Sequence, residues 1–132
     1  MAMYGQGKTR GTVAILEIDA AVNQACAAIT VKDGKSKFLF YQLKNSYQDI
    51  RKLSNTGNQE DLNADIIKTY QVPWAPDEEQ ERISTILTTQ DKVIELKEKR
   101  LAEKRRQKKY LMQQLLTGKK RLPGFYGAWS FP

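Results

Sequence analysis

Apolar residues between Asp77 and Thr117 fall at alternating steps of four and three: Ile83, Leu87, Ile94, Leu101, Leu111 and Leu115 share one seam with Gln90, Lys97, Lys104 and Lys108. That spacing places them on one face of a helix. The stretch contains neither Pro nor Gly, Pro76 precedes it and Gly118 follows it, and Asp77, Glu78, Glu79 and Glu81 crowd its start while bases crowd its second half. Punctuation and charge therefore agree with one helix and its macrodipole. At 1.5 Å per residue it would be about 60 Å long, a strut rather than an ordinary core helix. Its seam is apolar at both ends and polar in the middle, where Lys97 to Lys109 offers only Leu101 and Ala102 for burial. A full apolar stripe would make a self-sufficient coiled coil; this pattern predicts a helix that pairs at its two ends and presents a basic, solvated waist. The bland alternative is a solvated, charge-rich helix that meets no nucleic acid.

The pattern before the strut is mixed. Thr12 to Ile18 (TVAILEI) reads as a strand, Asp19 to Asn23 as a turn, and Gln24 to Val31 as a buried strand closed by an Asp33-Gly34 turn, so that the two strands pair. From Lys37 to Leu53 the period changes: Phe40, Leu43, Tyr47 and Ile50 recur at three and four, which predicts a helix packed on those strands. Ser54 to Glu60 (SNTGNQE) is a loop by composition, Asn63 caps a short helical turn through Ile67, and Tyr70 to Val72 runs extended into Pro73 and Pro76. After Gly118 come Lys119, Lys120 and Arg121 and then LPGFYGAWSFP, an aperiodic tail whose aromatics need either a partner or a further segment to cover them. The expected fold class is α+β, two strands with a helix and a short return strand, followed by a long coiled-coil-type α-helix.

Charge adds a polyanion to this picture. The chain of 132 residues carries 22 bases and 15 acids, and 13 of the bases lie between Arg82 and Arg121. Such clustering favours nucleic acid over a membrane surface. No apolar run is long enough to span a bilayer and the start lacks the apolar stretch of a signal peptide, so a cytoplasmic protein is expected. The chain has no His, which removes histidine general-base catalysis and histidine metal ligation. The lone Cys26, within the Ala-rich run AVNQACAAITV, reads as a buried structural thiol. No catalytic constellation, metal site or cofactor is expected.

Two motifs invite chemistry. GQGKT ends like a phosphate-binding loop, but that pattern needs Gly where Ala2 stands, with a strand before and a helix after; here a strand is expected after it. A glycine-rich turn that offers Lys8, Thr9 and Arg10 to DNA phosphates and bases fits better. Asp91, Glu95 and Lys97 on one helix are solvated charges rather than a nuclease cluster. Reading of base edges needs polar side chains held in place, and Gln6, Arg10, Asn58 and Gln59 in the two Gly-containing loops have that chemistry.

Taken together and in this order, GQGKTRGTVAILEIDAAVNQACAAI, VPWAPDEEQERISTIL and KYLMQQLLTGKKRLPGF resemble the specificity subunit of type I restriction and modification systems. The resemblance implies a recognition domain that reads one half of a split DNA site. It also implies a long helix pairing antiparallel with its counterpart and docking modification subunits, and through them the restriction subunit. Residues 1–75 would be the later part of a target-recognition domain, 76–118 the spacer helix and 119–132 a linker towards a second half. Such a subunit catalyses nothing itself. The DNA contacts expected are Gln6, Lys8, Thr9, Arg10, Asn58 and Gln59. The pairing residues are Ile83, Leu87, Ile94, Leu101, Leu111 and Leu115, against another half-subunit or a second copy. The start near GQGKTRG and the tail RLPGFYGAWSFP are expected to mark a truncated piece of that subunit. The competing expectation is a helical interaction protein with nonspecific DNA binding or none.

Overall fold

A computed structural model describes residues 1–5, 7–32, 35–53 and 61–130. These form four helices, α1 (Ser36–Asn45), α2 (Tyr47–Lys52), α3 (Ala64–Thr69) and α4 (Asp77–Leu115). The chain divides into two compact units, Met1–Leu87 and Thr88–Pro132. The architecture is mostly helical; among the described residues the sole β pairing is an isolated antiparallel bridge between Ala2 and Cys26.

The first unit is built on the face that the spacing of Leu43 and Ile50 predicts. The expected helix is broken at Ser46, and α1 and α2 each contribute one of these buried residues. Leu43, Ile50 and Leu62 form the core, against which Met1, Val13, Leu39, Ile66, Ile67, Tyr70 and Val72 pack. Leu62 is fully buried, at 0% exposure. Truncation there leaves a hole that so small a core cannot close, so Leu62→Ala is expected to cost about 2–5 kcal/mol. Urea unfolding followed by circular dichroism would show this as a lower midpoint with little change in slope.

The two expected strands do not pair with each other. Residues 1–3 lie between the segments instead: Met3 N–H donates to Ala25 O (2.8 Å) and Ala27 N–H to Met1 O (2.8 Å) on one side, while Gly11 N–H donates to Ala2 O (2.9 Å) and Ala2 N–H to Thr12 O (2.9 Å) on the other. Leu62 N–H closes the arrangement on Met3 O at 3.1 Å. Beyond Thr12 the run to Glu17 forms no ladder and bends at Ile18, and Ile15, Leu16 and Ile18 are exposed. β propensity expresses itself only against a neighbouring strand, and in this unit three residues at the start of the chain occupy the pairing positions. Cys26 also departs from expectation. It is an exposed free thiol, because the bridge turns it to an apolar cleft of about 620 Å³ that also borders Leu39, Leu43, Ile67 and Tyr70. The Asp33-Gly34 turn and the Ser54–Glu60 loop lie outside the described residues.

Asn63 caps α3 as its sequence position predicts, its Oδ1 accepting from Ile66 N–H at 2.8 Å. The chain then runs extended through Tyr70–Val72 to Trp74, whose ring meets Phe38 edge-on at 5.5 Å. α4 starts at Asp77 and continues for 39 residues, a rise of about 58 Å. In the second unit the helix ends at Leu115, and Gly118, at φ +70°, reverses the chain so that Lys120 N–H donates to Gln114 O at 2.9 Å. Trp129 packs over Gly118, Arg121 lies 5.3 Å from the Trp129 ring centre, and Arg121 Nη1 donates to Gly127 O at 2.9 Å. The tail thus has local order, though Phe125 and Tyr126 remain exposed.

Candidate nucleic-acid interface

GQGKTRG folds as a turn rather than as a phosphate-binding loop followed by a helix. Gly7 and Gly11 sit at φ +69° and +83°, where a side chain is strained. Between them the carbonyls point to protein donors. Tyr47 Oη donates to Lys8 O (2.7 Å), Thr12 Oγ1 to Thr9 O (2.7 Å) and Arg51 Nη1 to Arg10 O (2.9 Å). Arg51 also donates to Tyr47 Oη at 3.2 Å and lies 5.3 Å from its ring centre. The turn is therefore fastened to α2 at two successive helical positions, Tyr47 and Arg51. A Cβ on Gly11 would come within 3.2 Å of Arg51 Cγ, so glycine is needed for this close approach as well as for its φ.

This geometry suits anion contact. The three carbonyls that would repel a phosphate are engaged within the protein, and the side chains of Lys8 and Thr9 are exposed side by side. Arg10, by contrast, is buried at 5% exposure, so the turn separates it from the two residues before it. Gln6, Asn58 and Gln59 lie outside the described residues. Tyr47 and Arg51 were not among the expected site residues. Tyr47 counts as apolar in a helical face, and its hydroxyl function surfaces only in its i, i+4 relation to Arg51.

The long helix supplies the second candidate surface. Ile94, Leu101 and Leu111 are exposed at 52%, 51% and 46%, and Leu87 at 37%. Ile83 and Leu115 are half-buried. Near the end of α4, Leu111, Met112, Leu115 and Leu116 line a shallow apolar groove flanked by Lys104 and Lys108. Bases in the waist differ in their partners. Lys99 pairs with Glu95 (2.5 Å) and Arg106 with Glu103 (3.1 Å). The hydrogen bond and charge of Lys99 hold the Glu95 carboxyl below its ordinary range. Lys97, Lys104 and Lys108 instead share the seam with Leu101, Leu111 and Leu115. Charge is also segregated along the axis. Asp77–Glu98 carries seven acids and three bases, a net charge of −4, and Lys99–Leu115 carries one acid and seven bases, a net charge of +6. No described helix is long and apolar enough to cross a membrane.

Known proteins show what the chain is similar to. A family model described as the type I restriction modification DNA specificity domain matches residues 3–104. A curated relative, the type I restriction enzyme MjaIX specificity subunit of Methanocaldococcus jannaschii, is 32% identical over 92 residues. The match takes in 67% of this chain and 21% of the relative, so the chain spans about a fifth of that protein's length. No solved structure matches the chain.

Proposed function

The chain belongs to the family of type I restriction modification DNA specificity domains, and from that premise we propose that it is a non-catalytic reader of one half of a bipartite DNA site. Residues 1–75 are the later part of the target-recognition domain, 76–118 the spacer helix and 119–132 the link towards a second half. The observation that carries this reading is the fastened turn at Gly7–Gly11, which offers Lys8 and Thr9 outward with its carbonyls engaged. Lys8 contacts phosphate and Thr9 a phosphate or base edge, and Gln6, Asn58 and Gln59 contact bases. Buried Arg10 supports the turn from beneath. The runs Thr12–Ile18 and Gln24–Val31 are strands of the recognition domain in the assembled protein, where their exposed aliphatic side chains are covered.

The spacer helix pairs antiparallel with the matching helix of a second half, a second copy of this chain among them. A register that sets Ile83 against Leu115 also sets Leu87 against Leu111, and it lays the acidic first half of each helix along the basic second half of the other. Parallel pairing would oppose like charges along the whole length. The paired helices dock the modification subunits, which carry the methyl-transfer chemistry, and through them the restriction subunit, all in the cytoplasm.

Selection from a randomised duplex library at fixed salt, by the chain alone and with a modification subunit added, tests the reading. Enrichment of a short motif is expected, more strongly with the partner present. The exposed apolar and charged α4 favours a second reading, a helical interaction protein that meets DNA only through nonspecific charge. Binding without enrichment in both arms would establish that reading and overturn the first.

A further inference from the structure

Gln80 is the most deeply buried polar residue of the first unit, at 1% exposure, although it sits in the charge-rich run DEEQER. Its side chain reaches back five residues, and Nε2 donates to Ala75 O at 2.6 Å. Its backbone N–H donates to Pro76 O at 3.0 Å. The side-chain Oε1 is buried and accepts from no described group. An apolar side chain of the same length would fill this volume without leaving a buried carbonyl unsatisfied, so packing alone does not account for Gln. The contact with Ala75 O does. That carbonyl precedes Pro76, which has no N–H, and lies at the junction where the segment after α3 enters the helix.

Two further contacts converge on this junction. Trp74 meets Phe38 of α1 at 5.5 Å with the rings nearly perpendicular. Asp77, the first residue of α4, pairs with Lys35, which immediately precedes α1. Phe38 is itself buried. Trp74, Ala75 and the first residue of α4 are thus each tied down, the first and last to the α1 region and the middle to α4's own first turn. The Lys35–Asp77 pair has an exposed carboxylate and alone would hold weakly. The aromatic contact fixes Trp74 but leaves two residues before the helix. Gln80 spans that gap.

We propose that Gln80 is a positioning residue that locks the Ala75–Pro76 junction to the start of α4 and so fixes the direction in which the helix leaves α1 and the core around it. The inference rests on the proposed DNA-reading role only in its consequence: a fixed direction holds two readers to one separation between half-sites.

The direction itself is measured without DNA. In a full-length Cys26→Ser background, spin labels at Lys44→Cys in α1 and Ile86→Cys in α4 report the distance across the junction by pulsed electron resonance. A single narrow distribution is expected with Gln80, and a distribution at least twice as wide with Gln80→Met, which keeps size and burial and removes the amide. Circular dichroism should stay helical in both. Equal widths in the two proteins would overturn the proposal, and so would a broad distribution with Gln80 intact, an outcome that does not depend on how the variant folds. Lys35→Gln should widen the distribution less than Gln80→Met, and a larger effect there would move the lock from Gln80 to the ion pair. The consequence is read separately on duplexes carrying two copies of the selected motif at varied spacing. The intact chain should prefer one spacing, and Gln80→Met should accept adjacent ones. If no motif is selected at all, the reading of DNA fails while the distance measurement still decides the role of Gln80.

Discussion

Leu87→Lys combined with Leu111→Lys is expected to halve the mass of the protein in light scattering. The two leucines would face each other in the proposed antiparallel register, so a pair of chains would lose four buried leucines at once. Each is worth about 1.5–3 kcal/mol when fully covered. Even the lower figure sums to about 6 kcal/mol, close to four orders of magnitude in the dissociation constant. The α4 helix itself should persist, because Lys is nearly as good a helix former as Leu, and an unchanged circular dichroism spectrum separates loss of pairing from loss of fold. Charge offers an independent arm. Raised salt should weaken the unaltered pair modestly, since its acidic and basic halves attract across exposed surfaces where screening is effective. A double variant whose mass is unchanged would remove α4 pairing and with it the geometry that joins two readers.

The helix carrying that prediction is also the part of the fold that the sequence announces most clearly. Its start at Asp77 is set by Pro76 and the following acids, and its observed end at Leu115 falls two residues short of the expected Thr117, where Gly118 takes a left-handed conformation. Asn63 likewise declares its cap. These signals are local, and local signals survive whatever surrounds them. Strands behave differently. TVAILEI has strong β character, but a ladder needs a neighbour in register, and in the described structure Met1–Met3 takes the positions that pairing of the two runs would have used. Cys26 falls to the same cause: an apolar neighbourhood in sequence predicts burial only if the run is covered, and here it borders an open cleft. The resemblance to specificity subunits, carried by three motifs in order, agrees with the family match over residues 3–104. The turn that carries Lys8 and Thr9 was legible from glycine spacing. The supports were not. Tyr47 scores as apolar and Gln80 as polar in any periodic pattern, yet Tyr47 acts through its hydroxyl and Gln80 is buried, because each answers a backbone carbonyl far from it in pattern space.

Tyr47→Phe with Arg51→Met should abolish motif enrichment in the library selection while leaving most nonspecific binding in place. The two changes remove the donors to Lys8 O and Arg10 O and the contact between the guanidinium and the Tyr47 ring. A neutral hydrogen bond of this kind contributes about 0.5–1.5 kcal/mol and a charged one about 1.5–3 kcal/mol, enough to release a short glycine-flanked turn from α2. A released turn still carries Lys8, so its electrostatic share of binding remains. What it loses is the fixed placement that lets a side chain discriminate one base edge from another, worth about 1–3 kcal/mol per good contact. Lys8→Ala makes the opposite change. It should weaken binding to all sequences alike and reduce the slope of log affinity against log salt by about 0.9, as expected for one phosphate contact. The two variants therefore separate positioning from charge within a single turn. If Tyr47→Phe/Arg51→Met left the enriched motif intact, the turn would not be the reader.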